Sequence, residues 1–203
     1  MTQKIFLVRH GECVSNHENI FLGRSLDPPL TEKGVKQAKR LASHLQKKDI
    51  SSIYSSSLLR AKQTGNIISN ALGIAYTESE LLIEVDLGAL DRRDISDPGF
   101  FSMYTHMVTN WEAGYEDVKI FQGESLIDMN ERLLLFFNQP HLMIGNCDSI
   151  LVVGHAILWM GFIWKNCKDR PQRIRDCFMD VACYSILERD QQGFSILNLN
   201  ISP

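Results

Sequence analysis

The chain has 203 residues, long for one compact unit and short for two full ones, so a single domain over 1–203 carrying an insertion is expected. Hydrophobic residues make up 44% and charged residues 22%, which excludes collagen-like, low-complexity and wholly disordered chains. With 21 Lys plus Arg against 24 Asp plus Glu the formal net charge is -3, so no general cationic field draws nucleic acid or an acidic membrane, and any anion site must be local.

Met1 to Phe6 lacks the apolar h-region of a signal peptide. Ile5, Phe6, Leu7 and Val8 form a continuous apolar run, the pattern of a strand buried on both faces, and it stops at Arg9 and His10. Thr31 can cap a helix to about Lys48, with Val35, Ala38, Leu41, Ala42 and Leu45 on one face. A short strand around Ile53 and Tyr54 leads through serines into a second helix, roughly Leu58 to Leu72, stopped by Gly73.

From Val85 to Gln122 the regularity fails. Asp97, Pro98 and Gly99 read as a turn and the aromatic residues show no clear period, so approximately 85–122 reads as an inserted lid. Ser125 and Asp128 form a capping-box-like start for a helix through Phe137, which Pro140 ends. Ile150 to Val153 is a second fully apolar strand and again stops at a histidine, His155. The following helix is apolar nearly all round from Ile157 to Trp164, which predicts burial against the sheet; the run from Ala156 is well short of the roughly 20 residues that span a bilayer. Ala182 to Ile201 reads as a closing hairpin. The expected fold class is α/β, a three-layer α/β/α sandwich around a mostly parallel sheet with an inserted lid.

The five cysteines, Cys13, Cys147, Cys167, Cys177 and Cys183, are odd in number and lack CxxC spacing, which fits buried reduced thiols and a cytoplasmic protein. In an open α/β sheet ligands gather beyond the carboxyl ends of the strands, where Arg9, His10 and His155 should emerge together, with Gly11 and Gly154 allowing tight turns or close approach to a ligand.

The segment Leu7 to Asn16, LVRHGECVSN, resembles the Arg-His-Gly signature of the histidine phosphatase superfamily, in its small-phosphatase branch. Asp27 to Ala38 is similar to that family's next loop and helix, and Ser55 to Thr64 to its second arginine motif. Glu84 in LIEVDLG is similar to the segment holding its general acid, Gly123 to Ser125 with Arg132 to its GES helix, and VVGH ending at His155 to its last motif. The motifs run in register through most of the chain.

A phosphate ester needs a nucleophile, donors for the phosphoryl oxygens and a proton for the leaving oxygen. His10 as neutral imidazole can attack phosphorus, the role the resemblance also implies. Arg9 and Arg60 offer planar donor forks, His155 a further donor when protonated, and Asn16 a neutral amide or, alternatively, a turn or helix cap. Glu84 supplies the proton and then serves as base for water, so no metal or other cofactor is needed. Metal ligation by His10, His155 and Glu84 lacks any HExxH-like spacing, and Arg9 would repel a cation.

The resulting expectation is a metal-independent phosphomonoesterase acting on a small phosphorylated metabolite, with neither nucleic acid nor membrane as partner. A phosphoglycerate-type mutase and a non-catalytic phosphoprotein-binding module are the alternatives. The chain departs from the family at Ala156, where many relatives have glycine, and at Ala89 to Arg93, which leaves open whether Arg92 and Arg93 reach a substrate. Natural ester and oligomeric state are not encoded legibly.

Overall fold

The computed structural model describes residues 2–145 and 148–203. Met1 and Cys147 lie outside them, so the readings that rest on those two residues have no structural counterpart here. In chain order the elements are β1 (Gln3–Arg9), α1 (Val14–His17), α2 (Glu32–Leu45), β2 (Ser52–Ser56), α3 (Leu59–Leu72), β3 (Tyr76–Ser79), α4 (Pro98–Glu112), α5 (Leu126–Phe137), β4 (Ser149–Gly154), α6 (Ala156–Asn166), β5 (Tyr184–Asp190) and β6 (Gly193–Ile201). The six strands form one sheet in the order β3-β2-β4-β1-β5-β6. Strands β3, β2, β4 and β1 run parallel, and the β5–β6 hairpin adds antiparallel beside β1.

The alternation of side chains along β1 separates two cores. Phe6 and Val8 pack with Leu41 and Leu45 of α2 and Ala61 and Ile68 of α3 on one face. Ile5 and Leu7 pack with Met107 and Trp111 of α4, Leu133 and Phe137 of α5 and Phe162 of α6 on the other. Helices thus cover both faces of the sheet, and every residue of α6 from Ala156 to Trp164 is buried, as its sequence predicts. Thr31 caps α2 by accepting from the Gly34 N–H, and the helix ends at Leu45, short of Lys48. Ser125 and Asp128 make the full reciprocal capping box of α5.

The stretch from Val85 to Gln122 is more regular than its sequence suggests. Asp97, Pro98 and Gly99 start the fifteen-residue helix α4: the Asp97 carboxylate accepts from Gly99 N and Phe100 N, and Pro98 sits in the first turn, where a missing N–H costs nothing. The helical period is hidden because Phe101 and Met103 are exposed while only Met107, Val108 and Trp111 are buried.

Two glycines have a role other than the one expected. A Cβ on Gly11 would lie 2.6 Å from Gly34 O, and one on Gly34 only 1.9 Å from Glu12 O. The loop after β1 and the first turn of α2 therefore meet backbone to backbone, which fixes the direction in which His10 leaves the strand. Gly154 likewise receives the Trp159 ring, whose Cζ2 would be 2.5 Å from an added Cβ, while Trp159 Nε1 donates to Val8 O at 2.9 Å. Both glycines thus make close contacts within the protein. Gly34→Ala is expected to lower stability by about 1–3 kcal/mol, the usual penalty of overpacking a tight contact, read from urea unfolding midpoints.

Candidate functional site

Register places the chemistry. Val8 pairs with Val153 and Arg9 with Gly154, so β1 and β4 end level, and His10 N donates to Gly154 O at 3.1 Å. The rings of His10 and His155 consequently lie 5.3 Å apart between centroids. Strand β2 ends beside them, and its Ser56 Oγ is 2.8 Å from His155 Nε2. Of the residues singled out in the sequence, Arg9, His10, Asn16 and Glu84 line one cavity of about 240 Å³. Arg60 and His155 are fully buried and do not line it.

His10 Nδ1 lies 2.7 Å from Gly11 O; because a carbonyl only accepts, Nδ1 carries the proton and Nε2 keeps its lone pair. Burial, then the charges of Arg60 and Arg9, hold the His10 pKa well below its ordinary value, so the ring is neutral near pH 7. His155 is held well below as well, by burial and then by Arg60, so it is neutral here, against the protonated form considered from sequence. Ser56 Oγ accepts from Leu58 N at 3.3 Å and shares a hydrogen bond of 2.8 Å with His155 Nε2.

The guanidinium groups are partly spent on the protein. Arg9 Nη1 donates to Met179 O at 2.8 Å and the group lies over the Phe178 ring at 5.1 Å. Arg60 donates through Nη2 to Gly23 O at 2.8 Å and through Nη1 to Leu26 O at 3.3 Å. Burial lowers the pKa of each, with the Glu84 charge opposing it. Among the described residues, Arg9 Nε, Arg60 Nε and His155 Nδ1 are buried side-chain nitrogens without a hydrogen-bond partner. All three belong to groups electrostatically coupled to His10, and of the three residues Arg9 lines the cavity, where an anion would complete its donors.

Glu84 sits at the N-terminus of α6. Its Oε1 accepts from Val85 N at 2.9 Å and Leu158 N at 2.8 Å, and its Oε2 only from Ile157 N at 3.2 Å. Burial raises its pKa and outweighs these bonds and the charge of Arg60. Oε2, with the fewest partners, has the capacity for a proton. Asn16 takes the capping reading: its Oδ1 accepts from Cys13 N at 3.1 Å at the start of α1, and the residue lies in the cavity lining.

Arg92 and Arg93 do not reach this cavity. Arg92 donates to Ser25 O at 2.7 Å, and Arg93 stacks on Phe100 at 5.1 Å. Arg132 holds Glu124, with Nε 2.8 Å from Oε1, and Glu124 in turn holds Arg24 at 2.6 Å. Sequence reasoning missed Ser56 and Tyr104; the Tyr104 hydroxyl lies at the cavity wall with its pKa pushed up to about 12 by burial and the Glu84 charge. Gly34 was legible in principle, since glycine inside an amphipathic helix costs about 1 kcal/mol and calls for a packing reason. Cys13, Cys167, Cys177 and Cys183 are buried free thiols. No group of three His, Cys, Asp or Glu among the described residues could hold a metal ion, and none of their helices is long and apolar enough to cross a membrane.

The sequence model of the histidine phosphatase superfamily (branch 1) matches residues 5–202. A probable phosphoglycerate mutase, GpmB, of Escherichia fergusonii is 33% identical over 164 residues, covering 76% of this chain and 70% of the relative. Among solved structures, mycobacterial hydrolase 1 superposes with a TM-score of 0.83 at 20% identity over 100% of both chains. A phosphoserine phosphatase variant from Entamoeba histolytica, in complex with phosphoserine, superposes with 0.81 at 20% identity over 98% of each.

Because the folded His10 and His155 stay neutral at pH values where the unfolded rings are protonated, the unfolded chain binds more protons between their lowered folded values and the ordinary 6.5. Stability is therefore expected to fall as pH drops below 6.5, with each ring contributing up to about 1.4 kcal/mol per pH unit. Glu84, raised above 4.5, contributes in the opposite sense within its own window. Urea unfolding at pH 7.5 and 5.5 should show a smaller acid loss in His155→Asn than in the parent protein.

Proposed function

Because this chain belongs to the histidine phosphatase superfamily, we propose that it is a metal-independent phosphomonoesterase acting on a small phosphorylated metabolite through a phosphohistidine intermediate. The observation that carries this reading is one cavity lined by a neutral His10, by Arg9 with its buried, partnerless Nε, and by Glu84. Leaving a buried donor unsatisfied costs about 1–3 kcal/mol, and a phosphoryl group brings several anionic oxygens to relieve it. Positive charge for the transferring group comes from the two guanidinium groups, so the reaction needs no cation.

His10 Nε2 attacks phosphorus in line, forming the P–N bond as the ester P–O bond breaks. Glu84 gives its proton to the departing alkoxide. Water then attacks the phosphohistidine, Glu84 takes one of its protons, and the P–N bond breaks to return neutral His10 and release phosphate. Arg9 and Asn16, which line the cavity, hold the phosphoryl oxygens throughout, and Arg60, buried beside His10, adds its positive charge from behind. The stretch 85–122 acts as a lid over the leaving group, its shortness favouring admission of water and hence hydrolysis, and the buried thiols suit a reducing, cytoplasmic setting.

The name of the 33%-identical relative keeps a mutase as the competing reading. After treatment with EDTA the protein is expected to hydrolyse phosphate esters and yield an acid-labile, base-stable phosphoenzyme, and His10→Ala should lose activity by about a thousandfold or more. Undiminished hydrolysis in that variant would remove His10 as nucleophile. Interconversion of phosphoglycerates with a bisphosphoglycerate primer and without phosphate release would establish the mutase, and binding with neither activity a phosphoprotein-binding module.

Glu84→Gln should slow phosphorylation by alkyl esters by about 10²–10⁴-fold. The loss should be far smaller in the nitrophenolate burst from p-nitrophenyl phosphate, whose leaving group needs no proton. With alkyl esters kcat/KM should fall as pH rises through the Glu84 pKa, which lies above the ordinary 4.5. An activity independent of leaving group in Glu84→Gln would assign the proton elsewhere.

A further inference from the structure

Beyond Arg9, His10, Asn16 and Glu84, the rest of the cavity lining is apolar or aromatic. Phe21, Tyr104 and Phe101 form a continuous ring wall, with centroids 5.4 Å apart for the first pair and 6.3 Å for the second. Leu87 closes the floor with no exposed surface. The wall is built rather than loose. Phe21 N donates to Arg93 O at 2.8 Å, Arg92 N to Phe21 O at 2.9 Å and Ile95 N to Asn19 O at 2.9 Å, so the segments around 20 and 94 pair as two short antiparallel strands.

Cations that could receive a second anionic group are committed elsewhere. Arg24 is bonded to Glu124, Arg92 to Ser25, and Arg93 is stacked on Phe100. Among the described lining residues Arg9 is the single cation, and it belongs to the phosphoryl end. A carboxylate placed against Phe21 and Leu87 would lose its water and gain no cation, the neutral Tyr104 hydroxyl being the one donor of the ring wall, whereas an aromatic ring there would bury apolar surface and pack edge or face against three rings.

We propose that the leaving-group half of the site takes phosphate monoesters of apolar, preferentially aromatic alcohols and disfavours esters that carry a second anionic group. The substrate class rests on the phosphomonoesterase reading, but the preference of the wall is measurable without turnover. A cavity of about 240 Å³ fits one ring and a short linker rather than a larger ligand.

The test is calorimetric binding of two phosphonates that cannot be hydrolysed, 3-phenylpropylphosphonate and 3-carboxypropylphosphonate, to the unmodified protein. They share the phosphonate and the linker and differ only in the terminal group. The phenyl ligand should bind at least tenfold tighter. Equal affinity, tighter binding of the carboxyl ligand, or binding of neither would overturn the proposal. Phe101→Ala, at a rim position that is 50% exposed and so tolerates truncation, should shrink the ratio several-fold; an unchanged ratio would overturn the role of the ring wall. The corresponding phosphate esters separate the two readings. If the phenyl ligand binds tighter and neither ester is hydrolysed, the phosphomonoesterase reading fails while the wall preference stands. If both are hydrolysed and the phosphonates bind alike, the reverse holds.

Discussion

Two guanidinium groups, one fully buried and one at the cavity wall, beside a neutral histidine set the terms for the rest of this structure. Arg60 is fully buried in the first turn of α3, where the helix dipole already disfavours a cation, and Arg9 ends β1 under the Phe178 ring. Keeping such charges dry is costly unless oxygen atoms surround them. The backbone carbonyls of Gly23, Leu26 and Met179 answer part of the demand. Both Nε atoms are left over, and the guanidinium charges add to burial in keeping the two imidazoles unprotonated.

Glu84 answers the same field from the opposite side. It docks on the N–H groups of Ile157 and Leu158, an arrangement in which the helix terminus favours the carboxylate and burial favours the acid. Burial prevails. A carboxyl group caught between these two influences can give up a proton and take it back with little change in its surroundings, which is what alternating acid and base roles in one cycle demand. The backbone contact of Gly11 with Gly34 and the level ends of β1 and β4 hold His10 in reach of all these groups.

The surroundings of this polar end are of a different kind. The segments near 20 and 94 and the helix α4 bring phenyl and alkyl groups to the cavity, and the arginines in the same loops bond outward to Ser25 or stack on Phe100. The site thus has one strongly polar pole and one apolar pole. Within a family that includes both phosphatases and mutase-like proteins, discrimination between esters falls to that second pole.

Local patterns in the sequence determined a good deal. The two all-apolar strands ending in histidine, the caps at Thr31 and Ser125, and the wholly apolar helix after His155 follow from periodicity and hydrogen-bonding chemistry that need no distant partner. The motif register identified His10, Arg9, Glu84 and His155 as belonging together. Helix α4 escaped because its exposed Phe101 and Met103 break the apolar period, and because an Asp-Pro-Gly start reads equally well as a turn. Only tertiary structure decided which charges are buried, which tautomer His10 takes, that Glu84 meets a helix 73 residues away, and that Arg92 and Arg93 face away from the cavity. Those properties depend on register and on removal from water, which arise between segments far apart in the chain and leave no trace in the composition of either one.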